Sequence, residues 1–226
     1  MPETVFAIPG FWSLDLKELE ELNDYIFVNH RIIHKLTGTY YDLEVVDHID
    51  HLSETFLPKE QFNLDELKQI DRHQTCLYVI GYTESLEEVK ALVQFTKELL
   101  KIDGIAIKVE SSGRSFVKKT WHRLIEEFNT YEYMTSIVQE SDDVYVTSGL
   151  QQFGEPEIMF KGFHADELER YLLIWVNKTS EEKKEALKEK VIYDVAHQIH
   201  LDLIEYNLYP EDDLFYNPYG IVVFMK

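Results

Sequence analysis

Several things are scarce in this chain, and each scarcity excludes something. Its 226 residues include one cysteine, Cys76, so no intrachain disulfide can form and a reducing compartment is expected. Basic residues are few, 22 Lys+Arg against 42 Asp+Glu, for a formal charge of −20. General nucleic-acid binding takes its main affinity from clustered Lys and Arg, so no nucleic-acid partner is expected. An anionic membrane surface is disfavoured on the same ground. No apolar run approaches the ~18–20 residues of a membrane span. The longest, such as Gly220 to Met225, are strand-length. The first residues carry no basic segment and meet acids at Glu3 and Asp15, so a secretory signal is not expected and the cytoplasm is the natural location. With only 9 Gly and 6 Pro there is no linker tract, and one folded domain over 1–226 is the simplest account.

What is present suffices for a core. Apolar residues make up 45% and aromatics 13%, which argues against disorder despite the charge. Strands are predicted at Thr4–Ile8, Tyr25–Val28, Thr39–Val46, Thr75–Tyr82, Ile105–Val109, Val144–Ser148, Ile158–Phe160 and Gly220–Met225. Helices are predicted from Ser13 as a cap over Leu14–Asn23, from Asn63 to Ile70, from Ser85 to the Asp103-Gly104 stop, and over Phe116–Phe128. Further helices are predicted over Ala165–Val176 and Glu181–Tyr206, the last from apolar residues every four positions at Leu187, Val191, Val195, Ile199 and Leu203. His30–Lys35 reads equally as strand or helix. Strands that alternate with helices but also follow one another predict an α+β (or α/β) fold, a mixed sheet with helices packed on it. The segment of about 165–226 packs on the same core.

Two loops attract attention. Glu110-Ser111-Ser112-Gly113-Arg114-Ser115 lies between a predicted strand and a predicted helix, where free N–H groups, hydroxyls and a guanidinium fork suit a phosphate or carboxylate. The same residues also make a tight turn with Ser115 as N-cap, and their glycine spacing is not a phosphate-loop or dinucleotide fingerprint. Glu110, at the strand end, is the acid best placed to be perturbed. The second loop, Thr147-Ser148-Gly149 to Gly154-Glu155-Pro156-Glu157, brings two glycines and a proline into a short connection. Ligand approach near Ser148 and Gly149 and a plain hairpin-like link both fit. Ser148 is not in a nucleophile elbow, because Tyr145-Val146 stand where glycine is needed.

The histidines pair without completing a ligand set. His30 and His34 share a face if their stretch is helical, Asp47-His48-Ile49-Asp50-His51 is dense in acids and imidazoles, and His197 and His200 stand three apart on a predicted helix. Metal is therefore not expected, nor is any cofactor. Cys76, in an apolar strand, reads as inert. Glu181-Glu182-Lys183-Lys184-Glu185 reads as a solvated helix face. The acidic, aromatic stretch Tyr209–Gly220 fits an interaction loop or a turn that pins the last strand.

Several segments in order resemble a bacterial family described as domain of unknown function 4261. They are Ala7-Ile8-Pro9-Gly10, Glu44-Val45-Val46-Asp47, Ala106-Ile107-Lys108-Val109-Glu110-Ser111-Ser112-Gly113 followed by Trp121, Ser148-Gly149-Leu150 through Phe153-Gly154-Glu155-Pro156-Glu157, and Asn217-Pro218-Tyr219-Gly220. The resemblance spans nearly the whole chain and implies one domain. The family pattern carries a Cys and a Met-His in the second loop, where this chain has Thr147-Ser148 and Leu150-Gln151, so a redox or metal role there is not expected. The resemblance implies no activity.

The resulting expectation is a non-catalytic, protein-interaction module whose acidic surface meets a basic protein partner, an immunity- or antitoxin-like inhibitor being one form. Plain solubility explains the same charge. The alternative is a small-anion or phosphate binder, or an enzyme, that uses the Ser-Ser-Gly-Arg loop. The expectations separate by geometry: a partner binder needs a contiguous acidic, aromatic-studded face, and a ligand binder needs a pocket where the two loops converge. Oligomeric state is left open.

Overall fold

A computed structural model describes residues 3–56, 58, 61–193, 198–204, 210 and 216–226. They form a single α+β fold with two sheets rather than one. The first sheet contains β1 (Glu3–Gly10), β2 (Tyr25–Val28), β3 (Arg31–His34), β4 (Tyr40–Asp47), β5 (Thr75–Tyr82), β6 (Ala106–Val109) and β7 (Arg114–Val117). Its order is β2-β3-β4-β5-β1-β6-β7, antiparallel throughout. The second contains β8 (Ser136–Ser141), β9 (Val144–Ser148), β10 (Glu157–Lys161), β11 (Val191–Tyr193), β12 (Gln198–Ile204) and β13 (Ile221–Met225), in the order β11-β12-β13-β10-β9-β8. Only β10 and β13 run parallel, which makes this sheet mixed.

The helices are α1 (Leu64–Asp71), α2 (Leu86–Lys101), α3 (Lys118–Glu127), α4 (Thr130–Met134), α5 (Leu168–Val176) and α6 (Ser180–Glu189). Their starts follow local chemistry. The Asn63 side chain accepts from Asp65 and Glu66 N–H, and the Glu66 carboxylate answers at Asn63 N–H. Ser85 caps α2, whose buried stripe includes Val89, Leu92, Val93, Phe95, Leu99 and Leu100. A left-handed Asp103 (φ 54°) ends that helix, and Gly104 follows because a Cβ there would stand 2.9 Å from Leu100 Cα. The largest core cluster runs from Phe6 and Ile8 on the first sheet to Ile158, Phe160 and Phe224 on the second. Trp121 is fully buried within it, against Phe6, Phe116 and Tyr133 at ring separations of 5.4–5.9 Å.

Several expectations are corrected. No α-helix follows Ser13. Leu16 is left-handed, only a short 3-10 turn forms over Lys17–Glu21, and the Ser13 N–H and hydroxyl both donate to the Glu18 carboxylate. Ser115 and Phe116 belong to strand β7, with Phe116 opposite Ile107, and the helix starts two residues later. The long helix over Glu181–Tyr206 stops at Glu189, where Lys190 turns left-handed (φ 57°). Val191–Tyr193 then pair with Gln198–His200 in a hairpin. The repeat is split between β11 and β12: Val191 stands opposite His200 and Ile199 opposite Ile192, so Val191 and Ile199 take opposite sides of the sheet, and on β12 the alternate residues Ile199 and Leu201 enter the core. Val195 and His197 lie outside the described residues, as does half of Tyr209–Gly220; His200 is on a strand. His30 and His34 flank and end β3, so they share no helix face. Residues without a sequence assignment form α4 and β8.

His73 packs where α1 meets β5. Its Nδ1–H donates to Ile70 O at 2.6 Å, and its Nε2 accepts the Ile49 N–H at 3.1 Å, so the ring is held neutral. Burial lowers its pKa, with the His48 ring 4.8 Å away adding to that and Asp71 opposing it. A depressed native value means that stability is present above the free imidazole range of about 6.5 and is lost as pH falls. In urea denaturation, the advantage of the wild type over His73→Gln is therefore expected to shrink between pH 7.5 and pH 5. An advantage that does not change with pH contradicts the neutral-ring assignment.

Candidate functional site

The Glu110–Arg114 loop is a tight turn between two paired strands, with Val109 opposite Arg114 and Gly113 at φ 68°. It is not at a helix start, so the helix-terminus argument for an anion there does not apply. Glu110 is paired with Lys108 at 2.8 Å, both side chains largely buried. Arg114 donates from Nη1 to the carbonyls of Glu132 and, at 3.0 Å, Thr135, with its guanidinium 5.2 Å from the centre of the Phe116 ring. Its fork ties β7 to the α4–β8 link. Ser115 is fully buried in β7. Ser111 and Ser112 are buried too, and their hydroxyl oxygens have no hydrogen-bond partner among the described residues.

The two loops do converge. Ser148 Oγ donates to Ser111 O at 2.8 Å, and a Cβ on Gly149 would meet Ser112 Cβ at 3.2 Å and Met134 O at 2.9 Å. The contact between them is close packing. The second loop is organised by a carboxylate that the sequence reading did not single out. Glu157 is buried, and its Oε1 accepts N–H bonds from Gly149 (3.1 Å), Leu150 (2.9 Å) and Gln151 (3.4 Å) and from Asn217 Nδ2 (3.2 Å). Thr147 Oγ1 donates to Oε2 at 2.5 Å and itself accepts the Ile158 N–H at 2.8 Å. Gly149 (φ 108°) and Gly154 (φ 73°) bracket the turn, and a Cβ on Gly154 would stand 2.5 Å from Glu84 O. Thr83 Oγ1 donates to Gln152 O at 2.8 Å and pairs with Thr4 at 2.6 Å, which ties the loop to the first sheet.

An open surface lies elsewhere, on the outer face of the first sheet. Antiparallel pairing sets opposite residues on the same side. The register aligns Ile26–Ile33–Tyr40, Val28–Arg31–Asp42–Ile80–Val5, Glu44–Tyr78 and Tyr82–Glu3 on one side. The alternate residues Phe6, Ile32, Tyr41, Leu43 and Val79 enter the core. Part of the outer side is roofed: Leu52, Phe56, Phe62 and Ile70 pack with Ala7, Cys76 and Ala106. The rest is not, and Ile26, Val28, Tyr40 and Tyr82 are each 42–47% exposed. A hollow of about 570 Å³ there is lined by Val28, Arg31, Ile33, Asp42, Glu44 and Ile80, among others. Arg31 is neutralised by Asp42 at 2.5 Å and lies 4.8 Å over the Tyr40 ring. Glu3 and Glu44 remain without an ion pair among the described residues. The Glu3 carboxylate, with burial and Asp42 behind it, pushes the Tyr82 phenol above its ordinary pKa.

Of the other candidates, Cys76 is buried, and burial pushes its thiol up to about 12, so it is no nucleophile. Among the described residues no three His, Cys, Asp or Glu side chains gather as a metal site. The described helices are not long and apolar enough to cross a membrane. The open face was hidden in the sequence because Tyr-Asp-Glu alternation on β4 shows a half-exposed strand but not which neighbours extend it.

Burial raises the Glu157 pKa, while Thr147, Asn217 and the backbone N–H groups pull it down. A raised native value favours the protonated form in the fold, so this contribution is largest in acid and declines as pH rises above the free carboxyl value of about 4.3. The stability of the wild type relative to Glu157→Gln, from urea midpoints, is expected to decline from pH 4.5 to pH 8. A rise over that range would mean that the donors outweigh burial. Glu157→Ala, which strands several buried donors, is expected to cost about 3 kcal/mol or more. No protein-family model, curated protein or solved structure matches this chain.

Proposed function

We propose that the chain is a non-catalytic, cytoplasmic interaction module that binds a basic protein on the open face of its seven-stranded sheet. The observation that carries this reading is the continuity of Ile26, Val28, Tyr40, Ile80 and Tyr82 with the acids Glu3, Asp42 and Glu44 on one side of the sheet. Aromatic and β-branched side chains supply desolvated contact at little entropic cost, and acids around them steer a cationic partner and reject anionic ones. Plain solubility would require acids, but not apolar and aromatic side chains left open between them. An immunity- or antitoxin-like inhibitor of a basic toxin is the concrete form of this reading.

The test is affinity purification from the source cell with wild type, Tyr40→Ala/Tyr82→Ala and, as a control on the other sheet, Tyr193→Ser. One basic protein is expected with wild type and the control, with affinity falling at least about tenfold in the double variant and declining with salt. The same set of co-purifying proteins in all three samples, or a partner of acidic composition, contradicts the reading.

A further inference from the structure

Away from that face, a cavity of about 720 Å³ opens between α1, the end of α2 and the start of α3. This is the size of a small-molecule site. Its apolar lining comes from Phe11, Ile70, Ile105 and Val117. Its polar lining includes Gln69 and, in a chain with almost two acids for every base, three lysines and a histidine: Lys101, Lys118, Lys119 and His122. Two acids also line it. The Glu66 carboxylate is held at 2.8 Å by the Asn63 N–H, and Asp103 sits on the exposed turn after α2.

The lysines are placed against the electrostatics of the fold. Helix starts favour acids, and every other α-helix here has at least one in its first turn. The first turn of α3 has none, its cap residue Val117 offers no side-chain acceptor, and Lys118 and Lys119 occupy it without an ion pair among the described residues. One turn on, His122 has a buried Nε2 with no hydrogen-bond partner among the described residues. Burial and the ammonium groups of Lys97, Lys118 and Lys101 hold this imidazole below its ordinary pKa, with Glu126 opposing them. Lys97 is satisfied by Glu126 at 2.8 Å and Lys101 by Glu98 at 2.8 Å; Lys118 and Lys119 have no such relief.

We infer that this cavity binds a small phosphate monoester, its anionic head held by Lys118, Lys119 and the N–H groups that open α3, and its apolar body against Phe11, Ile70 and Ile105. An anion here removes the repulsion among the cations and satisfies the uncapped turn. The apolar wall distinguishes the site from a bare phosphate cradle and selects esters over the free ion. The inference is independent of the protein-binding reading, since none of these residues lies on the open sheet face.

Phenyl phosphate is the probe, titrated into the full chain while the His122 ring protons are followed by NMR, with their assignment taken from His122→Gln. Saturable shifts with a Kd of about 1 mM or tighter are expected. A rise in the His122 pKa in the loaded protein is also expected, because the bound charge offsets the lysines. Lys118→Gln/Lys119→Gln, whose urea midpoint is expected at or above the wild-type value because the substitution removes cations from a helix start, is expected to weaken binding about tenfold or more. Inorganic phosphate is expected to bind more weakly than the ester. Absence of saturation, equal affinity in the double variant, or equal affinity for inorganic phosphate and phenyl phosphate each overturns the inference.

Discussion

A single buried carboxylate sets the geometry on which the rest of this fold depends. Glu157 begins β10, which forms with β13 the one parallel pair among the described strands, and its side chain turns back into the connection that precedes it. There it gathers the first N–H groups of the 3-10 turn after Gly149 and the amide of Asn217, just before β13. The backbone is drawn in as well, since Glu157 N–H donates to Gly220 O at 3.1 Å. Through Thr83, Ser148 and Gln152 the same turn is fastened to the first sheet and to α4. A buried carboxyl group is expensive without partners, and this one is accommodated because five donors converge on it. The Phe-Gly-Glu-Pro-Glu and Asn-Pro-Tyr-Gly segments thus act together: Asn217 donates to both Glu155 O and the Glu157 carboxylate.

With the junction closed in this way, the loops that looked most chemical in the sequence become internal struts. Arg114 spends its guanidinium on carbonyls, and Ser148 spends its hydroxyl on Ser111. The molecule's free chemistry is displaced outward, to the half of the first sheet that α1 does not roof. There, alternation has put tyrosines, isoleucines and acids together on the solvent side, with the core residues on the other. The acidity of the chain therefore has a local expression: it surrounds an apolar surface and gives it a sign.

Much of the fold was legible where local signals agreed. The runs at Thr75–Tyr82 and Val144–Ser148 and the caps Asn63 and Ser85 led to the observed elements. Reading failed where an apolar repeat at helical spacing is divided between two strands, as at Val191 and Ile199, or where a serine that resembles a cap is a strand residue, as at Ser115. The sites were less legible than the fold. Glu110–Ser115 and Ser148-Gly149 do meet in space, but what Arg114 and Ser148 do there depends on partners 18 to 37 positions distant, which spacing cannot supply. Glu157 passed unnoticed because acidic residues are rarely buried, and the open face because its members come from five strands whose order only the register reveals.

The claim at the centre is that the open face of the first sheet is where this protein meets its partner. It is tested most directly by placing a photo-crosslinking amino acid at Tyr40, and separately at Tyr193 on the second sheet, and irradiating cells that express each. An adduct with one basic protein from position 40, and none from position 193, is the expected result. Adducts from position 193 with none from position 40 would contradict it.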